Sequence, residues 1–173
     1  MRQFTWAMVV LLGAGPVCAE VLMGHVVGVT DGETITVLDG NKHQHKLRVA
    51  GIDAPEIKQP FGQVSKDNLL RLVFNKEVDI FWDKRDHSRR IVGKVMVAPP
   101  NCSGKCRKTF DAGLSQVEAG LAWWHRKYSK EQSIDDRHIY EQAALGARSR
   151  RQGLWSDKAP IAPWAWRKGD HGQ

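Results

Sequence analysis

Between Val29 and Glu56 the chain sets carboxylates and an arginine at spacings that could do phosphate chemistry. Glu33 stands in Asp31-Gly32-Glu33-Thr34, Asp53 and Glu56 bound Asp53-Ala54-Pro55-Glu56, and Arg48 lies between the two motifs. Carboxylates joined by a backbone carbonyl and waters suit a hard divalent ion, calcium in particular. Such an ion polarises a phosphoryl oxygen, and a further carboxylate near it can orient or deprotonate water. Arginines supply paired planar donors to phosphate oxygens and favour the charge that builds in the transition state. A later arginine would complete the set. The prolines Pro55 and Pro60 keep residues 53–60 out of any regular helix or central strand. Pro55 biases Ala54 towards an extended conformation, which leaves the Ala54 carbonyl outside a helix ladder and open to a ligand.

The surrounding elements must carry these groups to one place. Val21, Met23, Val27 and Val29 alternate well enough for a first strand, and Ile35 and Val37 for a second. Asp39-Gly40 makes a hairpin turn into a third strand from about His43 to Ala50, with Leu47 and Val49 on one face and Lys46 and Arg48 on the other. Phe61 to Phe74 has helical spacing. Residues 77–83 and 90–97 form a fourth and a fifth strand about a polar turn. Phe110, Leu114, Val117 and Leu121 lie along one stripe of a second helix. Ile139, Ala143 and Ala147 mark a third, which ends in Arg148, Arg150 and Arg151 before Gly153 stops it. A tail from about residue 156 packs against the surface. The predicted fold is α+β: a five-stranded Greek-key barrel of the oligonucleotide-binding (OB) type with about three helices. His43-Gln44-His45 fits solvated surface, Trp123 and Trp124 fit core packing, and Arg148 to Arg151 fit a solvated helix end.

The 173 residues suffice for one domain with a substantial core. Residues 1–19 have the marks of a signal peptide: Arg2, a short apolar run from Trp6 to Leu12, and a small-residue cleavage pattern ending at Ala19. That run is too short to span a bilayer and no later stretch qualifies, so the expectation is an exported protein, periplasmic or secreted, without a membrane anchor. Residues 20–173 then form a single domain with 25 basic and 19 acidic side chains, a net +6 suited to a polyanion. Two cysteines remain, Cys102 and Cys106, and an oxidising compartment would join them across Ser103-Gly104-Lys105. So short a loop contributes roughly 2 kcal/mol on the chain-entropy account. Zinc would need further ligands, and none sits nearby in the sequence.

Several segments, in order, resemble the staphylococcal nuclease (thermonuclease) family over almost all of residues 20–173. They are Asp31-Gly32-Glu33-Thr34, the run from Leu47 to Glu56, Phe61-Gly62-Gln63, Asp86-His87-Ser88-Arg89-Arg90, Gly120-Leu121-Ala122 and Gly153-Leu154-Trp155. The resemblance implies calcium held by Glu33 and Asp53 through carboxylates and by Ala54 through its carbonyl. It implies Glu56 acting on the attacking water, Arg48 and Arg90 holding the scissile phosphate, and Tyr128 with Arg126 flanking the nucleotide. The implied activity is cleavage of DNA and/or RNA to 3′-phosphate products, and no protein partner is inferred. Glu33 stands where the family has aspartate, Arg89 where it has a turn glycine, and Arg126 where an aromatic is common. The rival reading is an OB-type module that grips nucleic acid electrostatically without cutting it.

Overall fold

The computed structural model describes residues 20–169, so the leader read in residues 1–19 lies outside the described residues. The expected meander forms as β1 (Glu20–Val29), β2 (Thr34–Asp39) and β3 (Gln44–Val49). Ile35, Val37, Leu47 and Val49 are fully buried, as their alternation with polar residues requires. The hairpin between β2 and β3 differs from the expected Asp39-Gly40 turn. It spans four residues, 40–43, with the Asp39 carboxylate accepting from the amides of Asn41 (2.8 Å) and His43 (2.9 Å). The left-handed residue is Lys42, φ 66°, rather than the glycine.

The chain continues through β4 (Ile52–Asp53), α1 (Gly62–Val73), β5 (Glu77–Arg85), β6 (Ile91–Val97), β7 (Phe110–Asp111), α2 (Ala112–Glu118) and β8 (Trp123–Trp124). A 3-10 turn at Arg126–Glu131, α3 (Ile134–Ser149), a second 3-10 turn at Gly153–Ser156 and α4 (Pro163–Trp166) follow. The large sheet has the order β3-β2-β1-β5-β6-β7. A parallel pairing of β3 with β6 (Leu47 with Ile91, Val49 with Gly93) closes β1, β2, β3, β5 and β6 into a barrel. The fold class is therefore the one predicted. It carries four α-helices among the described residues rather than three, the extra one being α4 in the tail, which Pro163 opens. Leu69 and Val73 of α1 and Val117 of α2 pack into the same core as the barrel strands. No helix among the described residues is long and apolar enough to cross a membrane.

The second helix is shorter than its apolar stripe. Phe110 is taken by β7, opposite Val97, and Leu121 lies beyond the last turn. The boundary is set by Asp111, whose carboxylate accepts from the amides of Gly113 (2.9 Å) and Leu114 (3.1 Å). The buried Tyr140 hydroxyl of α3 donates to the same carboxylate at 2.9 Å. One side chain thus caps α2 and joins it to α3. Asp111→Ala removes the cap and strands the hydroxyl, so it is expected to cost about 2–3 kcal/mol of stability in urea unfolding. A loss under about 0.5 kcal/mol, the range of ordinary surface substitutions, would contradict this account.

Gly153 does not stop α3. The helix ends at Ser149 and Arg151 takes the left-handed conformation, φ 50°. Gly153 serves a closer need: the Leu154 amide donates to the Gly120 carbonyl at 2.8 Å, and a Cβ on Gly153 would stand 2.3 Å from that oxygen. Cys102 and Cys106 are joined in the β6–β7 connection, with Cα atoms 6.1 Å apart.

Candidate active site

At one end of the barrel the β1–β2 turn, the end of β3, the β3–β4 corner and the start of β6 converge. Asp31 builds the turn, its Oδ1 accepting from the amides of Glu33 (2.9 Å) and Thr34 (2.7 Å). The fully buried Gln116 of α2 braces the turn from behind, donating through Nε2 to the Gly32 carbonyl at 2.8 Å. The Val49 amide donates to the Glu33 carbonyl at 2.8 Å, so Glu33 sits beside the end of β3. Its side chain turns towards β4, where Oε2 accepts the Ala54 amide at 2.9 Å.

Asp53 reaches the site because Ile52–Asp53 pairs with Trp123–Trp124 in a separate two-stranded ribbon. Gly51, φ 76°, makes the sharp corner between β3 and β4, where a Cβ would collide with the Gln132 side chain at 2.2 Å. Glu33 and Asp53 face each other in a poorly solvated corner. Burial first, and the Asp53 charge second, push the Glu33 carboxyl up to about 8 against the opposing Ala54 hydrogen bond. Two such carboxylates are the chemistry of a cation site. A guanidinium is already seated on one of them: Arg167, just after α4, forks onto Asp53 with Nη1–Oδ1 3.0 Å and Nη2–Oδ2 2.7 Å, and its Nη1 also reaches Glu56 Oε1 at 2.8 Å.

Arg48 lies opposite Thr34 across the β2–β3 ladder. Neither Asp53 nor Glu56, the carboxylates nearest to it in the motif, is its partner. It pairs instead with Glu131, Nη2–Oε1 2.6 Å, and stands 3.8 Å through Nε from Asp86. Burial disfavours its charge more than any single contact favours it, but the Glu131 bond together with the charges of Glu131 and Glu33 prevails and holds its pKa above the ordinary arginine value. Its Nη1 is buried and has no acceptor among the described residues. Arg90 shares Asp86, bonding through Nε at 2.8 Å and donating from Nη1 to Thr34 Oγ1 at 3.3 Å. Desolvation works against the Asp86 charge, but its bonds to Arg90 prevail and keep its pKa below the ordinary value. Arg89 occupies the turn-glycine position in a left-handed conformation, φ 61°, which leaves Arg90 as the arginine directed to Asp86 and Thr34.

The structure thus gathers Glu33, Arg48, Asp53, Ala54, Glu56 and Arg90 around one barrel end. Tyr128 joins them, its ring 4.5 Å beneath the Arg48 guanidinium. Arg126 turns away: it pairs with Glu141 at 3.0 Å and lines a cavity of about 350 Å³ with Trp123, Trp124, Leu145 and Trp164. Trp123 packs there against Trp155 and Trp164, at centroid distances of 4.4 and 5.3 Å. Arg148, read as part of a solvated helix end, lies 4.2 Å over the Trp155 ring. Sequence reasoning missed the structural roles of Asp86, Gln116, Glu131 and Arg167. Asp86 carried a signal, since it opens the motif that contains Arg90. The others are ordinary polar residues whose importance depends on packing.

A closed five-stranded barrel with carboxylates and two arginines braced by a shared aspartate at one end defines a nuclease-like OB architecture. Residues 46–157 match the family described as Staphylococcal nuclease homologue, and the chain belongs to that family. It is similar to an "Uncharacterized endonuclease" of Escherichia coli, 34% identical over 167 residues that cover 96% of this chain and 98% of that protein. It is also similar to a "Micrococcal nuclease" of Shigella flexneri, 37% identical over 162 residues, covering 94% of this chain and 89% of that one. A "Staphylococcal-like nuclease CAN1" of Arabidopsis thaliana is 32% identical over 127 residues, 73% of this chain but 34% of the plant protein.

Proposed function

We propose that this protein is an exported, calcium-dependent nuclease that hydrolyses phosphodiester bonds of DNA and/or RNA and leaves 3′-phosphate ends. The observation that carries the reading is the buried, acceptor-less Nη1 of Arg48 beside Arg90, next to the facing carboxylates of Glu33 and Asp53. A buried donor without a partner is rare and calls for an acceptor from outside the chain. A phosphate oxygen has the right charge and shape for it. The names of the similar proteins and the net positive charge support the same class of substrate. The Cys102–Cys106 disulfide agrees with an oxidising compartment and hence with export.

The donors fit calcium in kind. Glu33, Asp53 and the Ala54 carbonyl are all oxygen ligands, and calcium fills the rest of its shell with water. An all-oxygen set without His or Cys suits a hard ion rather than zinc. When bound, the ion supplies Lewis-acid polarisation of the phosphoryl oxygen. Arg48 and Arg90 clamp the phosphate and favour the charge that accumulates on its oxygens. Glu56 takes the proton of the attacking water or orients it. Tyr128, held under Arg48, flanks the nucleotide.

The test is cleavage of plasmid DNA and of RNA by the purified protein with calcium, beside a chelator control. Tight binding with intact substrate in both would instead support a module that grips without cutting. Glu33 allows a sharper check. The family aspartate would keep or raise activity if the extra methylene were a handicap. Here the longer side chain reaches the Ala54 amide. Glu33→Asp is therefore expected to lower cleavage by roughly 10- to 100-fold, since a shift of about 1 Å in a site costs that order. Unchanged or faster cleavage by the variant would show that this reach is dispensable.

A further inference from the structure

We infer that Arg167 is a residue of the active site: an internal counter-cation on Asp53 and Glu56 that a divalent ion must displace, so that ion loading and undocking of the C-terminal tail are one equilibrium. The inference rests on the calcium reading of the same site. Three observations carry it. The guanidinium engages both oxygens of Asp53, the side chain proposed as a calcium ligand, and one of Glu56, the proposed base, all within 3.0 Å. The other two arginines are engaged elsewhere, Arg48 with Glu131 and Arg90 with Asp86. Compensation of Asp53 therefore comes from the tail. Finally, the tail is placed by contacts of its own. Gln59, buried in the loop after Glu56, donates to the Ile161 carbonyl at 2.6 Å, and Trp164 packs on His125 with ring centroids 4.2 Å apart.

The fork takes one lone pair on each Asp53 oxygen, and a metal ion cannot take the position that the guanidinium occupies. The two cations therefore compete, although they do not exclude the rest of each other's contacts. The apparent dissociation constant of the ion is then its intrinsic value divided by the fraction of molecules in which the tail is released. Arg167 is half exposed, so its bonds are weaker than buried ones. Even so, a tail docked about nine-tenths of the time would weaken ion binding about tenfold. The same guanidinium also occupies one oxygen of the proposed base, Glu56 Oε1 at 2.8 Å.

The experiment is calorimetric titration of the whole protein with calcium chloride alone, without nucleic acid, for wild type, Arg167→Ala and Arg167→Lys. It is paired with hydrogen exchange of the α4 amides, such as Arg167 N–H donating to the Pro163 carbonyl. Arg167→Ala is expected to bind calcium about tenfold more tightly. The lysine, which keeps the charge but not the fork, should fall between the two. In wild type, calcium should speed exchange in residues 163–169. Because the lysine variant retains the charge contact, it gives an answer even where the alanine loosens the tail and complicates its own isotherm. Equal affinities in all three proteins, or weaker binding by Arg167→Ala, would overturn the inference and leave the calcium reading standing. Absence of calcium binding in every one of them would overturn both.

Discussion

Replacing Glu56 with glutamine is expected to lower phosphodiester cleavage by about 10²–10⁴-fold, the usual contribution of a positioned acid–base group. The substitution is close to isosteric and removes only the capacity to take a proton and to carry charge. Glu56 is well exposed, and its side-chain bond is to Arg167, which keeps its fork on Asp53. Stability should therefore change by no more than about 0.5 kcal/mol, as for ordinary surface sites. Measured together, initial rates on linear DNA and a thermal melt separate the two effects. A variant that melts like wild type and cuts within tenfold of it would remove Glu56 from the chemistry.

Arg48 is expected to behave differently, because it serves both the site and the fold. Its side chain and that of Glu131 are almost wholly buried and joined at 2.6 Å. Removing one partner of such a pair leaves an uncompensated charge and typically costs 3–5 kcal/mol. Lys84, 3.2 Å from the same Glu131 oxygen, and the Gly51 amide on the other soften this loss. Arg48→Ala should thus cost about 3 kcal/mol in denaturant unfolding. Arg48→Lys isolates the chemical part: it keeps one positive charge for Glu131 but has no second nitrogen in the place of Nη1. Its cleavage rate should fall about 10²–10³-fold, the scale of losing a preorganised donor to a developing anion. The fall should appear in kcat. A lysine variant that cuts at the wild-type rate would mean that the acceptor-less nitrogen does not meet the phosphate.

The two arginines are braced by acidic neighbours. Asp86 stands between them, and Glu131 holds the deeper one, so each guanidinium is oriented before any substrate arrives. Preorganised donors need no rearrangement when charge develops, which is the condition for electrostatic catalysis. The carboxylate half lacks such internal balance except through Arg167. In the corner shared with Asp53, burial first and the Asp53 charge second raise the Glu33 carboxyl above its ordinary acidity.

Local patterns carried much of the architecture. Alternation in residues 21–29, 33–38 and about 43–50 announced the meander, because a half-buried strand must bury every second side chain. Pro55 and Pro60 announced an irregular loop after Asp53 because the ring removes donors and forbids helical neighbours. Where a single contact overrode a pattern, the reading went astray. The apolar stripe from Phe110 to Leu121 promised a longer second helix than the one Asp111 caps, and Asp39, not Gly40, organises the hairpin. In both cases a carboxylate accepting backbone amides fixed the boundary, and hydrophobic periodicity does not register such bonds.

By itself the sequence determined the class of barrel, the identity of the acidic and basic groups, and the side of the molecule to which most of them belong. Those properties follow from short-range spacing and turn chemistry. Only the tertiary structure decided who pairs with whom: Arg48 with Glu131, 83 residues on, and Asp53 with Arg167, 114 residues on. Any glutamate can meet any arginine as far as local chemistry is concerned. The choice is made by strand register, the Gly51 corner and the docking of the tail, which bring particular charges to within 3 Å in a place too dry to leave them alone.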